Sequence, residues 1–437
     1  MTIDPALFPA AFVILAVLAA TTAPLAAAVF FSSAFLLLLN PAPLPPDFAM
    51  NYSLAMRLNS PALISIPLFA LAGELAVASG IARRLLVVAD ALAGKARAAA
   101  KLRAVLGCVF FASVSGVGPA AAAAEGKRLI PVLRRAGFSR EAAAGAVACA
   151  AGLAIVIPAS IPLTVYAASV GMQTNIVFTA SFVPGLVLAG ALLVAMTLGV
   201  RGRPGDSPGP ARRQGNIARL LWRARWSLLM PVLVLASLFT GFFTAPEAAA
   251  FSCVYAAIVG RYVHRRLHLA TIREVMVRSA TGASAILLMA GMGGMFALLM
   301  ESAGCTTAIA DAVYGWSGGR VGSILAINAI LLAAGCFMNM PGIVTLIVPL
   351  LLPLAARCGM SPAHFGAMVV MNLAIGLVTP PQGWNLSVTA RIAGTDIWSA
   401  ARDSGLFLAA MLATLLLVAF FPALSTWLPG VFAWNAP

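Results

Sequence analysis

The sequence predicts an all-α polytopic membrane protein with an internal duplication and broken helices. Three observations predict it. Of 437 residues, 62% are apolar and 9% charged, against about 45–50% and about 25% in soluble domains. Mean hydropathy is +0.99, and at roughly 20 residues per span the apolar content is material for about a dozen spans. The 28 Lys and Arg sit mostly in short polar breaks between apolar runs. Finally, residues 130–164 match residues 352–386 without a gap. Together these exclude a soluble enzyme, a disordered chain and a secreted disulfide scaffold.

The net charge of +15 fits loops held on the cytoplasmic side. Basic and aromatic residues do not interleave, so nucleic acid is not an expected partner; the lipid bilayer is. The six cysteines lack metal-ligand spacing and read as small packing residues. His264, His268 and His364 form no cluster with acids or cysteines. No cofactor is expected. The start, Met1-Thr2-Ile3-Asp4-Pro5, lacks a basic region, so the first apolar run reads as a membrane helix.

Residues 1–60 supply two N-terminal membrane helices and an interfacial segment after Pro41, Pro43, Pro45 and Pro46. A first repeat spans 61–200. It opens with a span at 61–79, followed by a basic amphipathic arm at 81–103. The apolar run 105–124 is interrupted by Ser113, Ser115, Gly116, Gly118 and Pro119. A basic loop at 201–227 and a second basic stretch around Arg261–Arg278 flank two spans, which puts both on the cytoplasmic side. Residues 228–279 form that connection. A second repeat occupies 280–427, with apolar regions at about 281–300, 321–337, 343–356, 364–380 and 405–424. A tail follows at 428–437.

The two halves match at an offset of 222 residues: Pro131 falls on Pro353, Gly137 on Gly359, Ser139 on Ser361 and Pro158 on Pro380. Each half has a small-residue or proline break, a helix-ending Gly, then a long helix broken near its end. Proline removes a backbone donor and clashes with the preceding turn. Freed backbone groups are costly in lipid and tolerated where they line a cavity. Paired interrupted segments point to a transporter binding site. Carbonyls beside Ser, Thr and Asn suit Na⁺, and N–H groups at helix starts suit a carboxylate. Candidate residues are Ser113, Ser115, Gly116, Pro158 and Ser160 in the first half. In the second they are Asn339, Pro341, Thr379, Pro380, Pro381 and Asn385. Glu247 reads as a first-turn helix acid, or as a functional membrane charge. Asn372 bonds between helices or lines the cavity. No ATP-binding Gly-Lys-Ser/Thr loop, zinc-protease His pair or Gly-x-Ser-x-Gly elbow occurs, so the chain is not expected to be an enzyme.

At these residues the sequence resembles the large membrane subunit of tripartite ATP-independent periplasmic (TRAP) transporters. The stretches that carry it are Ile66-Pro67-Leu68-Phe69-Ala70-Leu71-Ala72-Gly73-Glu74, Phe110-Phe111-Ala112-Ser113-Val114-Ser115-Gly116, Ile157-Pro158-Ala159-Ser160 and Gly241-Phe242-Phe243-Thr244-Ala245-Pro246-Glu247. The most specific runs from Pro362 through Asn372 and Gly376 to Thr379-Pro380-Pro381-Gln382-Gly383-Trp384-Asn385. The resemblance implies two inverted repeats with re-entrant hairpins, near 105–124 and 338–357, and elevator-type transport. It implies sodium-coupled uptake of a small, C4-dicarboxylate-like organic acid across a bacterial inner membrane. It also implies two partners, a small four-helix membrane subunit and a periplasmic substrate-binding protein. Ser113, Ser115 and Gly116 would help form one sodium site; Gly376, Thr379 and Pro380 the other.

The family pattern is altered in three places. Ser-Gly-Ser-Ser is Ser115-Gly116-Val117-Gly118 here, Ile-Pro-Pro-Ser is Ile157-Pro158-Ala159-Ser160, and the aspartate before the second break is Asn339. Two alternatives stand beside this one: a stand-alone carboxylate carrier using no binding protein, and a membrane scaffold that transports nothing.

Overall fold

In lipid every backbone polar group must be satisfied within the chain, which leaves helices as the means of crossing for an open chain. The computed structural model describes residues 7–20, 24–39, 60–94, 99–199 and 217–432. Among them there are helices and turns and no strands. Among the described residues six helices are long and apolar enough to cross a membrane, or eight if each of two bent pairs counts as one span. That is fewer than the apolar content suggests, because part of it goes into shorter apolar helices, Phe8–Leu18, Leu25–Leu39 and Pro362–Gly376; two of the six, Arg320–Phe337 and Met340–Arg357, are limbs of one hairpin. The interfacial segment after Pro41, most of the 201–227 loop and the end of the tail lie outside the described residues.

The duplication is visible element by element. The first repeat has a lead helix (Pro61–Ala78), an amphipathic arm (Ile81–Ala93), a hairpin (Ala99–Ser115 and Gly118–Arg135), a broken helix (Arg140–Val156 and Ile161–Val170) and a closing helix (Thr174–Gly199). The second has Leu269–Ser302, Cys305–Trp316, a hairpin (Arg320–Phe337 and Met340–Arg357), a broken helix (Pro362–Gly376 and Trp384–Ala393) and a bent pair, Ile397–Asp403 and Gly405–Phe420. The matched serines do the same work. Ser139 accepts from the Ala142 N–H and Ser361 from the His364 N–H, each capping a broken helix.

The repeats run in opposite senses. The lead helix Pro61–Ala78 ends at the basic turn, where the Gly80 backbone packs on Arg266 and His264 Nδ1 donates to the Ser79 carbonyl (2.9 Å). The second lead helix starts just beyond that turn and runs back along the first, with Arg278 within 3.5 Å of Glu74. Arg273 and Arg278 therefore lie on this 34-residue helix rather than in a loop. The connecting helix Ala245–Ile258 opens with a capping box: the Thr244 backbone and hydroxyl both donate to Glu247 (2.8 Å each). Glu247 is thus a cap at a helix start.

Two boundaries differ from the sequence expectation. The first hairpin extends well beyond 105–124, since its limbs run from Ala99 to Arg135. The second begins at Arg320: residues 338–357 are its tip and return limb, and the apolar run at 321–337 is its outgoing limb. An apolar run looks alike whether the chain crosses the bilayer or turns back inside it.

Candidate functional site

Both hairpin tips and both helix breaks converge on one region of the core. The first tip is built on Gly116, at φ 59. Only glycine holds that conformation without strain, and a Cβ there would also run into the Ala159 carbonyl. The Gly116 carbonyl accepts from the Ile161 N–H (3.4 Å), which ties the tip to the first break. That break is shaped by Pro158 and by Ala159, a non-glycine residue held at φ 75. Ser160 is fully buried; its hydroxyl donates to the Ile155 carbonyl (2.5 Å) and accepts from the Leu163 N–H (3.5 Å), spanning the gap between the two half-helices.

The second tip is closed by Asn339, whose side-chain oxygen accepts from the Gly342 N–H (2.9 Å). Its outgoing limb meets the second break through two glycines: a Cβ on Gly376 would lie 2.9 Å from Gly335 Cα. Gln382 donates to the Phe337 carbonyl (3.2 Å). The Thr379 hydroxyl bonds the Ile375 carbonyl (2.9 Å), and the Thr379 carbonyl accepts from the Gly383 N–H (3.1 Å), closing the loop over the cis Pro380-Pro381 bond. Pro381 is exposed.

Asn385 joins the two halves. It is fully buried, and its amide donates to the Ala148 carbonyl of the first broken helix (3.2 Å). Its oxygen has no donor and faces the first tip, 3.0 Å from where a Gly118 Cβ would stand. Glycine at 118 is what lets Asn385 and Leu377 approach. Ser113 is buried but turns its hydroxyl to the Phe110 carbonyl of its own helix (2.8 Å). Asn372 bonds Asn328 on the outgoing limb of the second hairpin (2.8 Å), away from the tips.

Between the tips lies a small apolar cavity of about 60 Å³, lined by Gly116, Val117, Ile161, Pro162, Val165, Ile286, Met340 and Pro341. Three helices begin at its wall, at Gly118, Ile161 and Met340, each with proline as its second residue. Helix starts carry partial positive charge, but the Ile161, Leu163 and Gly342 N–H groups are taken by the Gly116 carbonyl, Ser160 and Asn339, and the cavity wall itself is apolar. Proline at those positions removes a donor that needs a partner anyway. Helices also end beside the tips and breaks, at Ser115, Val156, Phe337 and Gly376, and helix ends carry partial negative charge. The cavity is far smaller than the roughly 300–1,000 Å³ of ligand pockets, so admitting an organic acid requires the tips to part. Val117, Val165, Ile286, Gly335 and Gln382 belong to this region as well. Val117 and Gln382 lie in stretches that carry the family resemblance, whereas sequence alone did not single out Val165, Ile286 or Gly335, because a Val, Ile or Gly within an apolar run carries no distinguishing signal. Among the described residues no group of three or more His, Cys, Asp or Glu gathers at metal-binding spacing.

Paired hairpins and broken helices around a buried midpoint define a secondary-transporter class of membrane protein. The profile of the family described as the DctM component of tripartite ATP-independent periplasmic transporters matches residues 12–424. The chain belongs to that family: it is a multi-pass inner-membrane permease subunit, not an enzyme. It is 34% identical over 371 residues to the C4-dicarboxylate TRAP transporter large permease protein DctM of Pseudomonas aeruginosa, covering 84% of this chain and 86% of that one. It is 33% identical over 387 residues to the isethionate TRAP transporter permease protein DctMQ of Oleidesulfovibrio alaskensis; the match takes in 89% of this chain but 61% of that relative. It is 30% identical over 404 residues to the sialic acid TRAP transporter large permease protein SiaM of Vibrio cholerae, covering 92% and 94%. Among solved structures it resembles the YdaH transporter of Alcanivorax borkumensis, described as having an unusual topology. The TM-score is 0.52 at 13% identity over 86% of this chain and 87% of that one, a likeness of fold alone.

Proposed function

We propose that this chain is the carrier of a tripartite system that takes up a small organic acid of C4-dicarboxylate type, coupled to sodium. It works with a small four-helix membrane subunit and receives substrate from a periplasmic binding protein. The observation that carries this reading is the convergence of three helix starts on one cavity between two hairpin tips. They turn positive dipole ends toward a carboxylate with no charged side chain in the wall. The relatives are named for a C4-dicarboxylate, isethionate and sialic acid, all anions.

In this proposal sodium sits behind the tips. Ser115 and Gly116 meet the first break near the free oxygen of Asn385. Gly376, Thr379 and Pro380 form the second site beside Gly335 and the Phe337 carbonyl. Both rely on carbonyls more than hydroxyls, which accommodates Val117, Gly118 and Asn339. Movement follows the elevator pattern, with hairpins and broken helices travelling as one body.

The test is uptake in proteoliposomes. The chain is reconstituted with its small membrane subunit and offered radiolabelled organic acids under an inward sodium gradient, with and without the binding protein. Uptake that needs both supports the proposal. Sodium-driven uptake without a binding protein assigns a stand-alone carrier. No uptake from a folded complex under that gradient rejects sodium-driven uptake of the acids offered.

A further inference from the structure

The root of the first hairpin holds a second cavity, remote from the tips. It is an open crevice of about 670 Å³ between the return limb, the turn at 136–139 and the end of the helix Trp384–Ala393. Lys127, Arg134, Arg135 and Arg140 line it, all exposed, and no carboxylate is among its lining residues. Its floor is apolar. Ile130 and Phe138 are buried there, with the Phe138 ring stacked on Phe407 at 6.5 Å.

The preference for basic residues on the cytoplasmic side explains their number. It does not explain why four face one cleft, where like charges repel. Arg140 is placed worst of all, since it opens a helix and a cation there opposes the dipole. Two carboxylates stand beside the crevice, Glu141 accepting from Thr395 (3.0 Å) and Asp403 accepting from Ser139 in the crevice wall (2.9 Å), so the four cations still outnumber the acids near them. An anion in the cleft removes the conflict. The crevice is also not the mouth of the tip cavity. Gly126 packs on Ile392 and Thr389, and Gly118 on Leu377 and Asn385, closing the seam between the return limb and Trp384–Ala393.

We propose that this crevice binds a phosphate group at the cytoplasmic membrane surface, carried by an anionic phospholipid. The basic rim meets the phosphate, and the apolar floor meets the glycerol and first acyl carbons. Basic pockets between membrane helices on this side are suited to such headgroups. A lipid held there links the hairpin root, through Lys127, Arg134 and Arg135, to the broken helix that starts at Arg140.

The test is binding of short-chain lipids to the full-length protein in a zwitterionic detergent, followed by thermophoresis. The probes are dihexanoyl phosphatidylglycerol, dihexanoyl phosphatidylcholine and inorganic phosphate. The variant Lys127→Gln/Arg134→Gln/Arg135→Gln/Arg140→Gln is compared with a control that loses equal charge from another basic segment, Arg201→Gln/Arg203→Gln/Arg212→Gln/Arg213→Gln. The wild type and the control should bind phosphatidylglycerol at least about ten-fold more tightly than phosphatidylcholine, and the crevice variant should lose that preference. Inorganic phosphate that fails to compete assigns the site to lipid; phosphate that competes at similar concentration keeps the site and makes free phosphate the source. If the crevice variant fails to fold, Arg134→Gln and Arg140→Gln singly should each weaken phosphatidylglycerol binding about three-fold. Equal preference in wild type and crevice variant, or equal loss in the control, overturns the proposal.

Discussion

In the first hairpin the return limb is fastened from inside. Arg128 lies 2.5 Å from Glu125 one turn earlier and 2.5 Å from Asp90 on the amphipathic arm. Glu125 is fully buried, and Gly107 on the outgoing limb makes room for the pair: a Cβ there would be 2.7 Å from the Glu125 carboxylate. In the second hairpin the equivalent fastening has moved to the rim. Arg357, the last residue of the limb, pairs with Asp311 on the helix Cys305–Trp316 and covers the Tyr314 ring at 4.9 Å. Arg357 and Asp311 both stand in the open, with side chains 48% and 66% exposed. One frame, duplicated, thus has a deep ionic tie on one side and a superficial one on the other. Burial decides what each is worth. An exposed ion pair contributes about 0–1 kcal/mol, whereas removing one member of a buried pair strands a charge and costs about 3–5 kcal/mol.

The largest effect should therefore come from Arg128→Gln. Loss of about 3 kcal/mol is expected, read as a large drop in the melting temperature of the detergent-solubilised protein. Adding Glu125→Gln should restore more than half of it, because the stranded charge is gone. Arg357→Gln should cost less than about 1 kcal/mol. Equal losses in the two variants would erase the distinction between the hairpins.

The tips sharpen the same contrast. Gly116 holds a left-handed turn against the Ala159 carbonyl, while the second tip uses the Asn339 cap. Gly116→Ala should abolish uptake and cost about 1–3 kcal/mol in strain. Asn339→Ala removes one cap, about 1 kcal/mol, and should leave measurable uptake. If both variants lose uptake alike, the second tip is as tightly constrained as the first.

Most of the fold was legible because its punctuation is chemical. Pro158 and Pro380, Gly137 and Gly359, and Ser139 and Ser361 each perform a backbone task that few residues can, so both halves kept them at one spacing. The extent of the hairpins was not legible. Residues 320–337 are apolar enough for a span, and only the turn at Met338-Asn339 reveals a limb. Within the site, breaks could be read but orientation could not. Ser113 lies one turn from the tip yet spends its hydroxyl on its own helix, and Gly335 matters only because Gly376 lies against it. The ionic tie was hidden for a related reason. Asp90, Glu125 and Arg128 look like members of basic, amphipathic segments until the hairpin folds them inward.

Asn385 and Asn372 form a matched pair of buried amides in the second broken helix, each reaching another element, Asn385 to Ala148 and Asn372 to Asn328. Each alanine variant should lose about 1 kcal/mol from a hydrogen bond. Asn385→Ala should in addition raise the sodium concentration needed for half-maximal uptake, since its free oxygen faces the first tip. Asn372→Ala should leave the sodium titration unmoved. A shift in both, or in neither, would separate Asn385 from ion binding.

The smallest effect lies outside both hairpins, at the basic turn between the repeats. Burial holds His264 below its ordinary value of 6.5, helped by Arg84 and Arg266 and opposed by its bond to the Ser79 carbonyl. Below pH 6.5 the unfolded chain then binds a proton that the native ring resists, so stability rises with pH through that window. The contribution is complete above the unfolded value and is lost as pH falls. Melting temperature should decline gently below pH 6.5, and His264→Gln should flatten that part of the profile while leaving the Arg128 and Arg357 contrast intact. A decline that persists unchanged in His264→Gln would place the titrating group elsewhere.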